Sequence, residues 1–130
     1  SNPEAKFKQF ADIFINPLLG AEAVTGSSRM KSGTAQKMIL NMLSSGAMIK
    51  LGKTYHNYMI DLEITNQKLQ QRAVRFVREI CGVDEKTAAE VLAAAKNVKT
   101  ACVMIKKNCS KEQAQKLLEE NGGILRRVIG

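Results

Sequence analysis

The sequence predicts a mainly α chain, and three observations carry that prediction. Apolar residues recur at helical spacing through most of its length, helix-capping residues stand just ahead of those runs, and only one short stretch favours strand. Apolar residues make up 45% of the 130 residues but aromatics only 5%, with no Trp, so any core is aliphatic and Ala-rich. That length holds one domain, or one and a part.

The elements follow in order. Ile13-Phe14-Ile15 is β-favouring and stops at Asn16-Pro17, which reads as a strand edge leading into a loop at Gly20. A helix is expected from about Thr34 to Leu51, with Met38, Ile39, Met42, Leu43 and Ile49 at helical spacing and Gly46 permitting a close neighbour. Its three Met are read as adaptable packing. Gly52 to Ile64 reads as loop or short strand. After the Thr65-Asn66 cap, Leu69, Ala73, Phe76, Val77 and Ile80 form one stripe ending at Gly82. Asp84 caps a helix with Ala88, Val91, Leu92 and Ala95 inward, and Asn97 caps one with Ala101, Met104 and Ile105. Ser110 with Gln113 makes a capping box for Ala114, Leu117 and Leu118, and Asn121-Gly122-Gly123 stops that helix before a last turn, Ile124 to Ile129. Helices this short must bury their stripes together, so a compact bundle is expected.

Charge and cysteines narrow the function classes. The net charge is +8, but residues 1–60 hold seven Lys/Arg against three acids and residues 61–130 hold thirteen against nine, +4 each. The charge is interleaved, with no run longer than Lys106-Lys107 or Arg126-Arg127, and no zinc finger, basic zipper or aromatic RNA platform accompanies it. Nucleic-acid binding is therefore not expected. Cys81, Cys102 and Cys109 are odd in number and lack metal spacing, so a zinc site or disulfide framework is not expected, and small buried thiols suit a reducing cytoplasm. The lone His56, between Tyr55 and Asn57, is read as a surface or satisfied residue. No run reaches membrane-spanning length and no signal peptide is seen.

Residues 20–37 carry the chemistry. Gly26 and Gly33 let the backbone turn and approach a ligand, Ser27, Ser28, Ser32 and Thr34 offer hydroxyls, and Arg29 and Lys31 supply positive charge. The free amides of a first helical turn would point the same way. From the chemistry alone two readings stand: an anion-binding loop, or a polar loop that merely caps a helix.

The literal residues Gly20-Ala21-Glu22, Thr25-Gly26-Ser27-Ser28-Arg29-Met30-Lys31 and Gly33-Thr34-Ala35-Gln36-Lys37 closely resemble the signature of N-acetylmuramic acid 6-phosphate etherases and their relative, the glucokinase regulatory protein. Ala21 stands where that family usually has proline. Met38 to Lys53, Tyr58-Met59-Ile60-Asp61-Leu62 and Thr65-Asn66-Gln67-Lys68-Leu69 continue the resemblance, and Gly82 to Ile105 resembles a ubiquitin-associated-like three-helix module.

The resemblance implies the carboxyl-terminal portion of such an enzyme. Residues 1–64 would close a sugar isomerase domain and residues 65–130 would form a ubiquitin-associated-like bundle. The implied activity is cleavage of the D-lactyl ether of N-acetylmuramic acid 6-phosphate to N-acetylglucosamine 6-phosphate and D-lactate, for cell-wall sugar recycling in the cytoplasm. It would need no metal or other cofactor, and its two catalytic glutamates would lie upstream, so no catalytic residue is expected in this chain. Ser27, Ser28, Arg29 and Lys31 are expected to contact the phosphosugar, and Glu22 to orient the loop, meet a sugar hydroxyl or cap the turn. A homodimer is expected, since Phe7 to Leu51 would expose apolar surface without a partner. Two other readings stay open: a sugar-phosphate-responsive regulatory module like the glucokinase regulatory protein, and a helical interaction domain with no ligand.

Overall fold

A computed structural model describes Asn2 and residues 4–130. The chain is mainly α. A 3₁₀ helix, Lys6–Phe10, is followed by α1 (Lys31–Lys50), a hairpin of β1 (Thr54–Tyr55) and β2 (Tyr58–Met59), and then α2 (Gln67–Cys81), α3 (Glu85–Ala95), α4 (Val98–Lys107), α5 (Lys111–Glu120) and α6 (Leu125–Ile129). Two compact units divide it, residues 1–45 and residues 46–130.

The second unit is a bundle organised around α4, which packs against α2, α3, α5 and α6. Each helix starts where its side-chain chemistry dictates. Asn66, Asp84, Asn97 and Ser110 all sit in extended backbone and accept a bond from the amide three residues on, and Ser110 with Gln113 completes the reciprocal capping box. Gly82 ends α2 in the left-handed conformation, and Lys96 and Asn108 do the same after α3 and α4. The predicted stripes face inward: Ala73, Phe76 and Val77 of α2, Ala88, Leu92 and Ala95 of α3, and Ala114 and Leu118 of α5 are buried. Because α4 is surrounded, its burial is wider than a stripe and takes in Val98, Thr100, Cys102 and Val103 as well as Ala101, while Met104 and Ile105 are half-buried.

The hairpin belongs to the same core. Thr54 pairs with Met59 and Tyr55 with Tyr58 across a His56-Asn57 turn. Tyr55 and Ile60 are buried, the Tyr55 hydroxyl donates to the Gly130 carbonyl at 2.7 Å, and the Tyr58 ring meets Phe76 at 4.9 Å between centroids. Asp61 pairs with Lys53 and, at 3.5 Å, with Lys99, whose ammonium also donates to the Gly123 carbonyl at 3.0 Å. These bonds fasten the segment after α1 to the bundle. His56 is exposed, Cys81 and Cys102 are buried, and Cys109 is half-buried.

Two expectations change in the first unit. Ile13-Phe14-Ile15 is not a strand: a bend falls at Ile13, the backbone there is unpaired, and the only sheet among the described residues is the hairpin. β-favouring side chains cannot make a strand without a partner edge. The arm is ordered instead by the Phe7 and Phe14 rings, edge to face at 5.4 Å. Helix α1 also begins at Lys31, three residues before the expected Thr34. Its packing differs too. No residue of α1 is buried, and Met38, Met42 and Leu43 are 58, 62 and 57% exposed. The apolar spacing is helical as predicted, but nothing among the described residues covers that face.

Candidate functional site

The early start of α1 explains the loop before it. The Glu22 carboxylate accepts from two successive amides at the head of the helix, Oε2 from Lys31 N at 2.9 Å and Oε1 from Ser32 N at 3.0 Å. Glu22 thus caps α1 from nine and ten residues away, satisfying amides that otherwise have no partner. The Lys31 ammonium donates back to the Ala21 carbonyl at 2.7 Å, so three bonds close residues 21–32 into a ring. The Ser32 and Lys31 amides hold the Glu22 carboxyl below the usual carboxylate range.

Inside the ring the backbone folds in consecutive tight turns. Ser27 N donates to Val24 O at 2.9 Å, Ser28 N to Gly26 O at 3.1 Å and Met30 N to Ser27 O at 3.3 Å. Gly33 N then donates to Ser28 O at 2.9 Å and Thr34 N to Met30 O at 3.0 Å, which leads the turns into the helix. Gly26 takes φ +82°, a conformation that L side chains rarely adopt.

The sequence-predicted site residues therefore separate into two groups. Glu22 and Lys31 are engaged within the chain. The side chains of Ser27, Ser28 and Arg29 make no hydrogen bond among the described residues; Ser28 and Arg29 are exposed and Ser27 half-buried. The expectation of free amides at the helix head is corrected: Lys31 and Ser32 donate to Glu22, and Gly33 and Thr34 to carbonyls of the loop. What remains for an anion is a cation with a planar fork and the Thr25, Ser27 and Ser28 hydroxyls on a closed loop.

A concavity of this unit lies elsewhere. It is an apolar groove of about 470 Å³ lined by Phe7, Phe14, Ile15, Pro17, Ile39 and Leu40 among others, and it contains none of the predicted site residues. No cluster of His, Cys, Asp and Glu among the described residues could hold a metal ion, and no described helix is long and apolar enough to cross a membrane.

Residues 56–98 match the family described as the C-terminal lid domain of glucokinase regulatory protein. Among curated proteins, the N-acetylmuramic acid 6-phosphate etherase of Edwardsiella ictaluri is 51% identical over 99% of this chain. Those of Klebsiella aerogenes and Escherichia coli O1:K1 are 47 and 46% identical over 98%. The chain spans 43% of the length of each of these relatives, matching their carboxyl-terminal part.

Proposed function

We propose that this chain, a member of the N-acetylmuramic acid 6-phosphate etherase family, forms the carboxyl-terminal part of a lyase that cleaves the D-lactyl ether of N-acetylmuramic acid 6-phosphate. The products would be N-acetylglucosamine 6-phosphate and D-lactate. The observation that carries this reading is the extent of the resemblance: relatives 46–51% identical align over 98–99% of the chain, a stretch that contains the loop.

The geometry supports a division of labour. Arg29, with Ser27 and Ser28, meets the phosphosugar's phosphate, because among the described residues these side chains make no hydrogen bond and Arg29 is the loop cation left without one. Lys31 adds positive charge beside them while its ammonium stays on Ala21 O. The bond-breaking step, loss of lactate followed by addition of water, is assigned to carboxylates outside this chain, acting as general acid and base. Residues 1–64 close the sugar isomerase domain and residues 65–130 are the helical tail. The enzyme is cytoplasmic, acts as a homodimer and does not bind nucleic acid.

A second reading has its own support in the match of residues 56–98 to the lid domain of glucokinase regulatory protein. On that reading the loop binds a sugar phosphate and the protein responds without turning it over.

Lactate release from N-acetylmuramic acid 6-phosphate by the full-length protein separates the two. Arg29→Ala should raise KM about tenfold to a hundredfold, as expected for losing a charged hydrogen bond to phosphate. Lys37→Ala, which removes an exposed cation from α1, should leave it unchanged. Binding of the sugar phosphate without lactate release would favour the regulatory reading. Equal KM for the two variants would remove Arg29 from the site.

A further inference from the structure

We infer that Glu22 is a positioning residue of the phosphosugar site: by clamping the head of α1 it holds Ser27, Ser28 and Arg29 in place for the phosphate, without touching the phosphate. The inference rests on the etherase reading and narrows it.

Three observations lead there. First, both carboxylate oxygens are already used, at 2.9 and 3.0 Å on the Lys31 and Ser32 amides. A phosphate cannot share those amides with a carboxylate, since the two anions would repel at contact distance. Second, the Lys31 ammonium closes the same ring from the other side through Ala21 O at 2.7 Å. Residues 23–30 are thereby spanned at both ends by bonds to the head of a 20-residue helix. Third, Ser27, Ser28 and Arg29 lie inside that span, on turns stitched by Val24 O, Gly26 O and Ser27 O. A loop held closed in its binding conformation does not lose that freedom again when the ligand arrives, which favours affinity. The Ser32 and Lys31 amides hold the Glu22 carboxyl below its ordinary range, which agrees with a clamp that is charged and closed at neutral pH.

The test uses the full-length protein and two substitutions. Glu22→Gln keeps the shape but offers one accepting oxygen, so one amide keeps its bond and the other faces an NH₂. Glu22→Asp keeps a carboxylate that is one methylene shorter.

Hydrogen exchange at Lys31 N and Ser32 N reports the clamp, and KM with kcat for N-acetylmuramic acid 6-phosphate reports the site. In Glu22→Gln, exchange at those amides should quicken while α2 to α4 stay protected. KM should rise on the order of tenfold with kcat changed much less, the pattern for lost binding contacts. Glu22→Asp should recover part of both effects. A merely structural cap would lower the folded fraction and scale kcat without moving KM.

Faster exchange with unchanged KM would overturn the inference. Raised KM with unchanged exchange would overturn it too, because Glu22 would then touch the sugar directly. A wild-type protein that releases no lactate would sink the etherase reading and this inference with it, whereas an active wild type with an unaltered Glu22→Gln removes only the role given to Glu22.

Discussion

Replacing Gly52 by alanine introduces two independent strains where the chain leaves α1 and joins the bundle. Gly52 is buried at φ +66°, a left-handed conformation that costs an L residue about 1–2 kcal/mol. The added Cβ would also lie 2.8 Å from Ile124 Cγ1, 3.1 Å from Ile124 Cα and 3.3 Å from Ile124 Cβ. A rotamer change frees the first contact but not the second, because Cα is backbone. Ile124 immediately precedes α6, whose Leu125 and Val128 are buried in the core, so moving it loosens that helix. Overpacking of this kind costs about 1–3 kcal/mol.

The two effects together predict a loss of about 2–5 kcal/mol from the unit of residues 46–130. Since 1 kcal/mol shifts Tm by about 4–8 °C in a unit of this size, the drop should exceed 8 °C. Urea unfolding followed by far-ultraviolet circular dichroism reads the loss as a lower midpoint at constant slope. Gly46→Ala is the internal control: Gly46 lies within α1, has no positive φ and has nothing within 4 Å of the new Cβ. Ala there should leave the midpoint unchanged or raise stability by up to about 1 kcal/mol. A Gly52→Ala chain within about 0.5 kcal/mol of wild type would refute the reasoning, since a surface substitution does as little.

Three more outcomes are expected. The 130-residue chain alone should release no lactate from N-acetylmuramic acid 6-phosphate, because the proposed acid and base lie outside it, and measurable release would place catalytic groups here. The isolated chain should self-associate at tens of micromolar, because Phe10 and Ile13 are 83 and 81% exposed and the Met38-Met42 face of α1 is uncovered; sedimentation showing a clean 14.3 kDa monomer would contradict this. Acid should weaken the bundle in part through Asp61. The Lys53 hydrogen bond first, then the Lys99 charge, hold its carboxyl below the ordinary 3.8, so its contribution is complete above that value and is lost as pH falls through the depressed one. Asp61→Asn should therefore lower stability at pH 7 and flatten the acid limb of the stability profile below about pH 4, whereas a parallel limb would mean that the pair contributes nothing.

The helical half was legible because its signals are local. Asn66, Asp84, Asn97 and Ser110 each act on an amide three residues away, a spacing visible in one turn of sequence, and the stripes that follow need only period 3.6. Where α1 starts was not legible in that way. Ser32 and Thr34 carry hydroxyls suited to a cap, but the cap is Glu22, and no short-range pattern ties a carboxylate to amides nine and ten residues downstream. The same blindness produced the strand at residues 13–15: β-favouring side chains are read one by one, whereas a strand exists only with a partner edge, and none stands beside them among the described residues. At the loop the residue types leave an anion site and a plain helix cap both open, and which side chains are engaged within the chain required coordinates. Arg29 and Lys31 look equivalent in sequence, two cations two residues apart. Lys31 Nζ is held on Ala21 O and closes the ring, while Arg29 has no such bond among the described residues. On the proposed function, that asymmetry puts the larger effect on phosphosugar binding at Arg29, with Lys31 adding charge beside it, and has Glu22 act through Arg29.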